Sequence, residues 1–165
     1  MTEICTRFET ITYDKLKAKQ KEIFNFQKVA AILADYGYNC IKLADDWQGA
    51  DFLAYHVNGE STLKVQLKSR LTINNKYCGK DIWMAFPYKQ CWYFIEHDRL
   101  VEKVKNKTGW LNTHSWKDMG GYSSNHINPG LFESLAENQL KPVYGSFPIN
   151  NEENNAMSTE PVQRI

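Results

Sequence analysis

A chain of 165 residues with 42% apolar, 24% charged and 13% aromatic residues has the size of one ordinary domain and enough apolar mass for a core. Its apolar runs are only a few residues long, and Met1-Thr2-Glu3-Ile4-Cys5-Thr6-Arg7 lacks the basic cluster and apolar stretch of a signal peptide, so a cytoplasmic protein with no membrane partner is expected. The net charge of +1 excludes little, but its distribution is uneven: residues 1–107 hold 17 Lys/Arg against 13 Asp/Glu, and residues 108–165 hold 3 against 6.

Residues 13–36 read as one amphipathic helix. Leu16, Ile23, Ala30 and Ala34 fall along its apolar stripe, flanked by Phe24, Phe26, Ala31 and Leu33, and Gly37 stops it. Gln20 and Gln27 fall near the middle of that stripe and Glu22 at its flank, so a polar partner is expected to face the helix. Tyr38–Leu43 then alternates weakly as a strand and leads into a polar loop, Asp45 to Gly49. Ala50–Val57 and Ser61–Ser69 are strand-like runs joined by Asn58-Gly59, a strong hairpin signal. Ile82–Phe86 and Cys91–Ile95 read as two further strands separated by Pro87 and a polar turn. Asp98 caps a short helix to about Asn106, a less regular Trp-containing stretch runs through Gly120–Ser124, and Asn128-Pro129 opens a last helix to about Asn138. A single domain is expected over residues 1–148. A flexible, Asn/Glu-rich tail is expected over 149–165.

Four cysteines, at positions 5, 40, 78 and 91, form no CxxC pair and read as reduced thiols; four histidines show no metal-ligand spacing either.

The hairpin carries the chemistry. With Asn58-Gly59 as a two-residue turn, the numbers of paired positions add up to 117, which sets Asp51 opposite Gln66. Side chains so opposed have Cβ atoms about 4.5–5.5 Å apart, close enough to share a small cation. Lys64, Gln66 and Lys68 alternate with Leu63, Val65 and Leu67, so period 2 puts the three polar side chains on the face of Asp51. An aspartate, an amide oxygen and a lysine on one face suit metal-assisted phosphodiester hydrolysis. Between Glu60 and Lys80 five basic residues (Lys64, Lys68, Arg70, Lys76, Lys80) accompany a single acid. Of these, Lys64, Arg70, Lys76 and Lys80 are candidate contacts to a nucleic-acid backbone. Trp47 and Tyr77 are candidates to stack on unpaired bases.

Gly49-Ala50-Asp51-Phe52, the hairpin and Val65-Gln66-Leu67-Lys68 together resemble the PD-(D/E)XK, or restriction-endonuclease-like, nuclease superfamily, nearest to small bacterial endonuclease-like proteins and Holliday-junction resolvases. The resemblance covers about residues 13–95. It implies an α/β fold with a mixed central sheet flanked by helices, in an α-β-β-β-α-β core. It also implies a Mg²⁺-dependent DNA endonuclease, with Mn²⁺ as a substitute and a homodimer as the form that cuts two strands. Asp51 would be the principal metal ligand, with the Gln66 side-chain carbonyl and the Leu67 backbone carbonyl beside it. Lys68 would position or activate the attacking water. The first helix would add Glu22, the acidic candidate, or Gln27, the one on the predicted apolar face. This sequence has Ala50 where the family has proline and Gln66 where it usually has an acid. The loss of that charge weakens metal affinity, and the alternative function is a catalytically inactive module of the same fold that binds nucleic acid or protein.

Overall fold

The computed structural model describes residues 8–143; the expected tail, 149–165, lies outside them. In chain order the elements are α1 (Ala18–Asp35), β1 (Tyr38–Trp47), β2 (Ala50–His56), β3 (Thr62–Leu67), β4 (Leu71–Asn74), β5 (Ile82–Tyr88), β6 (Cys91–Glu96), α2 (His97–Lys107), α3 (His114–Lys117), β7 (Gly121–Ser124), α4 (Pro129–Ser134) and β8 (Gln139–Leu140). Six strands form one sheet in the order β1-β2-β3-β5-β6-β8, and β4 pairs with β7 in a separate ribbon. The β3–β5 pair is parallel and the others are antiparallel, so the sheet is mixed. The chain crosses from β3 to β5 through β4 and the 3-10 turn Asn75–Tyr77, and the second long helix follows β6.

The sheet divides two cores. On one side Val29 and Leu33 of α1 meet Phe52, Ala54, Val65, Ala85 and Phe94. On the other side Met84, Phe86, Tyr93 and Ile95 meet Leu100, Val104, Leu131 and Leu135 of the C-terminal helical region. Successive residues of β5 and β6 alternate between the two cores, as a strand buried on both faces must.

The first helix is displaced from its expected course. It begins at Ala18 rather than residue 13, and its buried stripe is Asn25, Val29 and Leu33, at i, i+4 and i+8. Ile23 is 41% exposed. Gln20 and Gln27, expected near the middle of the apolar stripe, are both exposed. The reason is packing: the sheet residues Phe52, Ala54, Val65 and Ala85 take Val29 and Leu33, which bury more apolar area than Ala30 and Ala34 would, and Ile23 is left outside the core. Gly37 ends the helix in the left-handed region at φ +80°, its carbonyl accepting from Val57 N–H at 2.9 Å. A Cβ there would lie 2.8 Å from His56 Nε2.

The polar segment 45–49 is not a loop. β1 runs to Trp47, and a two-residue turn at Gln48 and Gly49, both with positive φ, returns the chain as β2. The next turn is longer than a two-residue one. His56 N–H donates to Ser61 O, and Asn58 Oδ1 accepts from Glu60 N–H inside it. The closing pair still adds up to 117, so the register is the expected one: Phe52 opposes Val65 and Tyr55 opposes Thr62. α2 spans nearly the expected residues, but Asp98 lies inside its first turn and does not cap it. α4 opens as expected, with Asn128 Oδ1 capping Leu131 N–H at 2.7 Å, but ends at Ser134, and a 3-10 turn, Ala136–Asn138, takes the rest of the expected helix.

Two substitutions on α1 test its orientation. Leu33→Ala should lower the unfolding free energy by about 2–5 kcal/mol in a denaturant titration, whereas Gln27→Ala should change it by about 0.5 kcal/mol or less.

Candidate functional site

The hairpin ladder between β2 and β3 ends at Phe52 and Val65, while β3 continues to Leu67 against β5. β2 therefore leaves β3 one step early, and the amide N–H that the next backbone pair would have used is open. Asp51 fills it. Its Oδ2 accepts from Leu67 N–H at 2.8 Å and from Gln66 Nε2, so the expected opposition of Asp51 and Gln66 is a direct hydrogen bond. Gln66 is 5% exposed, and its Oε1 is buried without a hydrogen-bond partner.

Lys68 follows the end of β3. Its backbone N–H continues the parallel ladder to Ala85 O at 2.9 Å, and its Nζ stands 5.7 Å from the centre of the Tyr77 ring. Glu22 reaches the same region from α1, paired with Lys42 of β1 and, at 3.0 Å, with Lys19. Glu22 and Lys68 both line a cavity of about 280 Å³ between α1 and the end of β3. Of the two helix candidates, Glu22 is thus beside the site, while Gln27 is exposed about 140° further round the helix. The structure thus brings Glu22, and not Gln27, up to the cavity that Lys68 lines.

Burial holds the Asp51 carboxyl above the ordinary carboxylate range. The Leu67 N–H and the ammonium groups of Lys68 and Lys42 pull it back, and Glu22 pushes it further up. The carboxylate of Glu22 is held below its ordinary range by Lys42 and Lys19.

The four other basic candidates are divided between a second cleft and the open surface. Lys64 is half-buried and lines that cleft, of about 320 Å³, with Gln48, Gly79, Lys80 and Asp81. Lys76 is exposed, its Nζ 4.8 Å from the Tyr77 ring centre. Arg70 is exposed just before β4. Tyr77 itself is 2% exposed and packs edge-to-face on His97, so it cannot stack on a base; it is a platform for two lysines. Trp47 is 48% exposed.

Sequence reasoning missed Lys42, Asn25, Tyr13 and the pair His97–Asp98. Stepping back by fours from Leu33 and Val29 reaches Asn25, so that one was readable from helical spacing. Among the described residues, Cys78, His97 and Asp98 form a cluster with donor atoms within 4.8 Å of one another. They do not suit a metal. His97 Nε2 accepts from Asn74 N–H at 3.2 Å, which leaves the ring proton on Nδ1 facing Asp98 Oδ1 at 3.4 Å. Asp98 Oδ2 also accepts from Gly79 N–H at 2.9 Å, so the cluster fastens the crossover segment to α2.

The fold defines a class: a mixed α/β protein whose mostly antiparallel sheet is flanked by helices and splits at a half-buried carboxylate. No family model and no curated protein matches the chain. Among solved structures it is similar to Hjc, a Holliday junction resolvase from the archaeal hyperthermophile Archaeoglobus fulgidus, at 16% identity and a TM-score of 0.37, covering 47% of this chain and 74% of that one. It is also similar to the bacterial homing endonuclease I-Ssp6803I, at 16% identity and a TM-score of 0.43, covering 74% of this chain and 86% of that one. Among the described residues no helix is long and apolar enough to cross a membrane.

A raised carboxyl pKa means that the folded chain keeps a proton the unfolded chain releases. Asp51 therefore costs stability above the unfolded carboxylate value of about 3.9 and costs none well below it. In thermal melts with EDTA, Asp51→Asn should melt above wild type near neutral pH, and the gap should close as the pH falls below that value.

Proposed function

We propose that this chain is a metal-dependent nuclease that hydrolyses DNA phosphodiester bonds at the gap between β2 and β3. The observation that carries the reading is the Asp51–Gln66 pair, with the Gln66 Oε1 buried and unpartnered beside a carboxylate. Both Asp51 hydrogen bonds use Oδ2, so Oδ1 and Gln66 Oε1 are hard oxygens available to one ion. The donor set fits Mg²⁺, with Mn²⁺ as a substitute: Asp51 and Gln66 would hold it, with the Leu67 carbonyl as a further ligand. When bound, the ion would supply positive charge to the phosphate oxygens and make a coordinated water easier to deprotonate.

The remaining work falls to the chain's own groups. Asp51 is fixed by the Leu67 N–H, so its carboxylate needs no reorganisation to bind. Lys68, steadied over Tyr77, orients the attacking water or neutralises charge growing on the phosphate. Glu22, charged because Lys42 and Lys19 hold it so, sets the balance of charge beside Asp51. Lys64 and Lys80 share one cleft and meet the DNA backbone, with Lys76 and Arg70 alongside them.

A second reading has one observation in its favour. Gln66 turns an N–H toward Asp51, an arrangement complete without a cation. On that reading the chain is an inactive nuclease-fold module that binds nucleic acid or protein.

Cleavage of supercoiled, branched and single-stranded DNA with Mg²⁺, Mn²⁺ or EDTA separates the two. The nuclease cuts only with metal, and Asp51→Ala and Lys68→Ala each lower the rate by about 10²-fold or more. DNA binding without cutting on any substrate leaves the inactive module. In a salt titration of binding, Lys64→Ala with Lys80→Ala should reduce the slope of log K against log salt by about 2.

A further inference from the structure

The cavity beside the site is lined by Glu22 and Lys68, which the nuclease reading uses, and by Tyr13 and Asn25, which it does not. Asn25 is 6% exposed and sits on the buried stripe of α1 that otherwise carries Val29 and Leu33. Its Nδ2 donates to the Tyr13 hydroxyl at 2.9 Å, and no side chain among the described residues donates to its Oδ1. Unlike Gln66 Oε1, this oxygen is not sealed away without a partner, and the Asn25 amide lines the cavity. Phe24 braces the Tyr13 ring edge-on at 5.5 Å, and Lys21 Nζ stands 5.1 Å from the ring centre.

We propose that this cavity receives an unpaired nucleobase from the nucleotide adjoining the scissile phosphate. The preferred substrates are then single-stranded or branched rather than fully paired. The proposal rests on the nuclease reading for the phosphate at Lys68, while Tyr13 and Asn25 supply the contacts to the base. About 280 Å³ lies at the small end of ligand pockets, which run about 300–1,000 Å³, and is room enough for one planar base. Each of the four bases offers an N–H on its pairing edge, so Asn25 Oδ1 accepts from any of them once that edge is free. An aromatic neighbour is likewise tolerant of sequence, since every base has a π-face. Lys21 and Lys68 flank the cavity where the phosphates on either side of such a base would run. A base inside a duplex must first leave its stack to enter, whereas an unpaired one need not.

The test is binding in EDTA, where no cutting occurs. Single-stranded oligonucleotides carrying a fluorescent adenine analogue, and the same oligonucleotides with abasic sites, are titrated with the full chain. The expected result is a fluorescence change on binding and about tenfold weaker binding of the abasic strand. Asn25→Ala and Tyr13→Leu should shrink that difference to about twofold or less while leaving duplex binding unchanged. Tyr13 is only half-buried, so its variant keeps the test alive should Asn25→Ala fail to fold. Equal binding of the intact and abasic strands by wild type, or a difference that survives Tyr13→Leu, overturns the proposal. A chain that cuts no DNA yet keeps the abasic difference refutes the nuclease reading and leaves the base site standing.

Discussion

The site depends on a hydrogen bond that is not made between two backbones. At Leu67 the amide N–H of β3 still faces toward β2, but β2 has turned away and the carboxylate of Asp51 takes the place of a carbonyl. A strand leaving a ladder strands polar groups, and an unmet buried N–H is costly. Asp51 removes that cost with its own side chain. The split in the sheet and the position of the carboxylate are thus one feature, and Gln66, Lys68 and the cavity beside α1 are arranged around it.

The charge balance of the gap is set by the residue at position 66. A second buried acid there would raise the pKa of both carboxylates until a cation arrived. Gln66 instead donates an N–H to Asp51, which gives the half-buried carboxylate a hydrogen-bonded neighbour in place of a repelling one. Lys68 and Lys42 favour its ionised form from outside the pair, and Glu22 opposes them. A glutamine at this position thus leaves the gap with one carboxylate and one amide oxygen, Oε1, without a partner.

The crossover from β3 to β5 is held in an analogous way. A parallel pair needs a connection that climbs over the sheet. Here a strand and a 3-10 turn serve, with no helix to supply its own hydrogen bonds. His97 and Asp98, in the first turn of α2, take up the Asn74 and Gly79 N–H groups of that segment. Tyr77, wedged between His97 and Gly49, then offers its ring to Lys68 and Lys76. Two lysines, one beside the site and one facing solvent, are thereby steadied by one buried ring.

Local rules determined what depends on neighbours in the chain: the Asn128 cap, the hairpin and its register, and with them the meeting of Asp51 and Gln66, because a turn and a two-residue period fix which side chains oppose. The tertiary structure decided what depends on surfaces brought from elsewhere. The stripe of α1 was set by the sheet it covers, so Asn25 went in and Gln27 went out, a choice that the alanine-rich helix left nearly balanced in its own sequence. Tyr77 became a buried platform because His97, twenty residues on, packs against it. The partner of Glu22 proved to be Lys42, on a strand whose pairing alone brings it under the helix. Periodicity reads a pattern along one element; which face is buried is a competition between areas, and that is settled only when the elements meet.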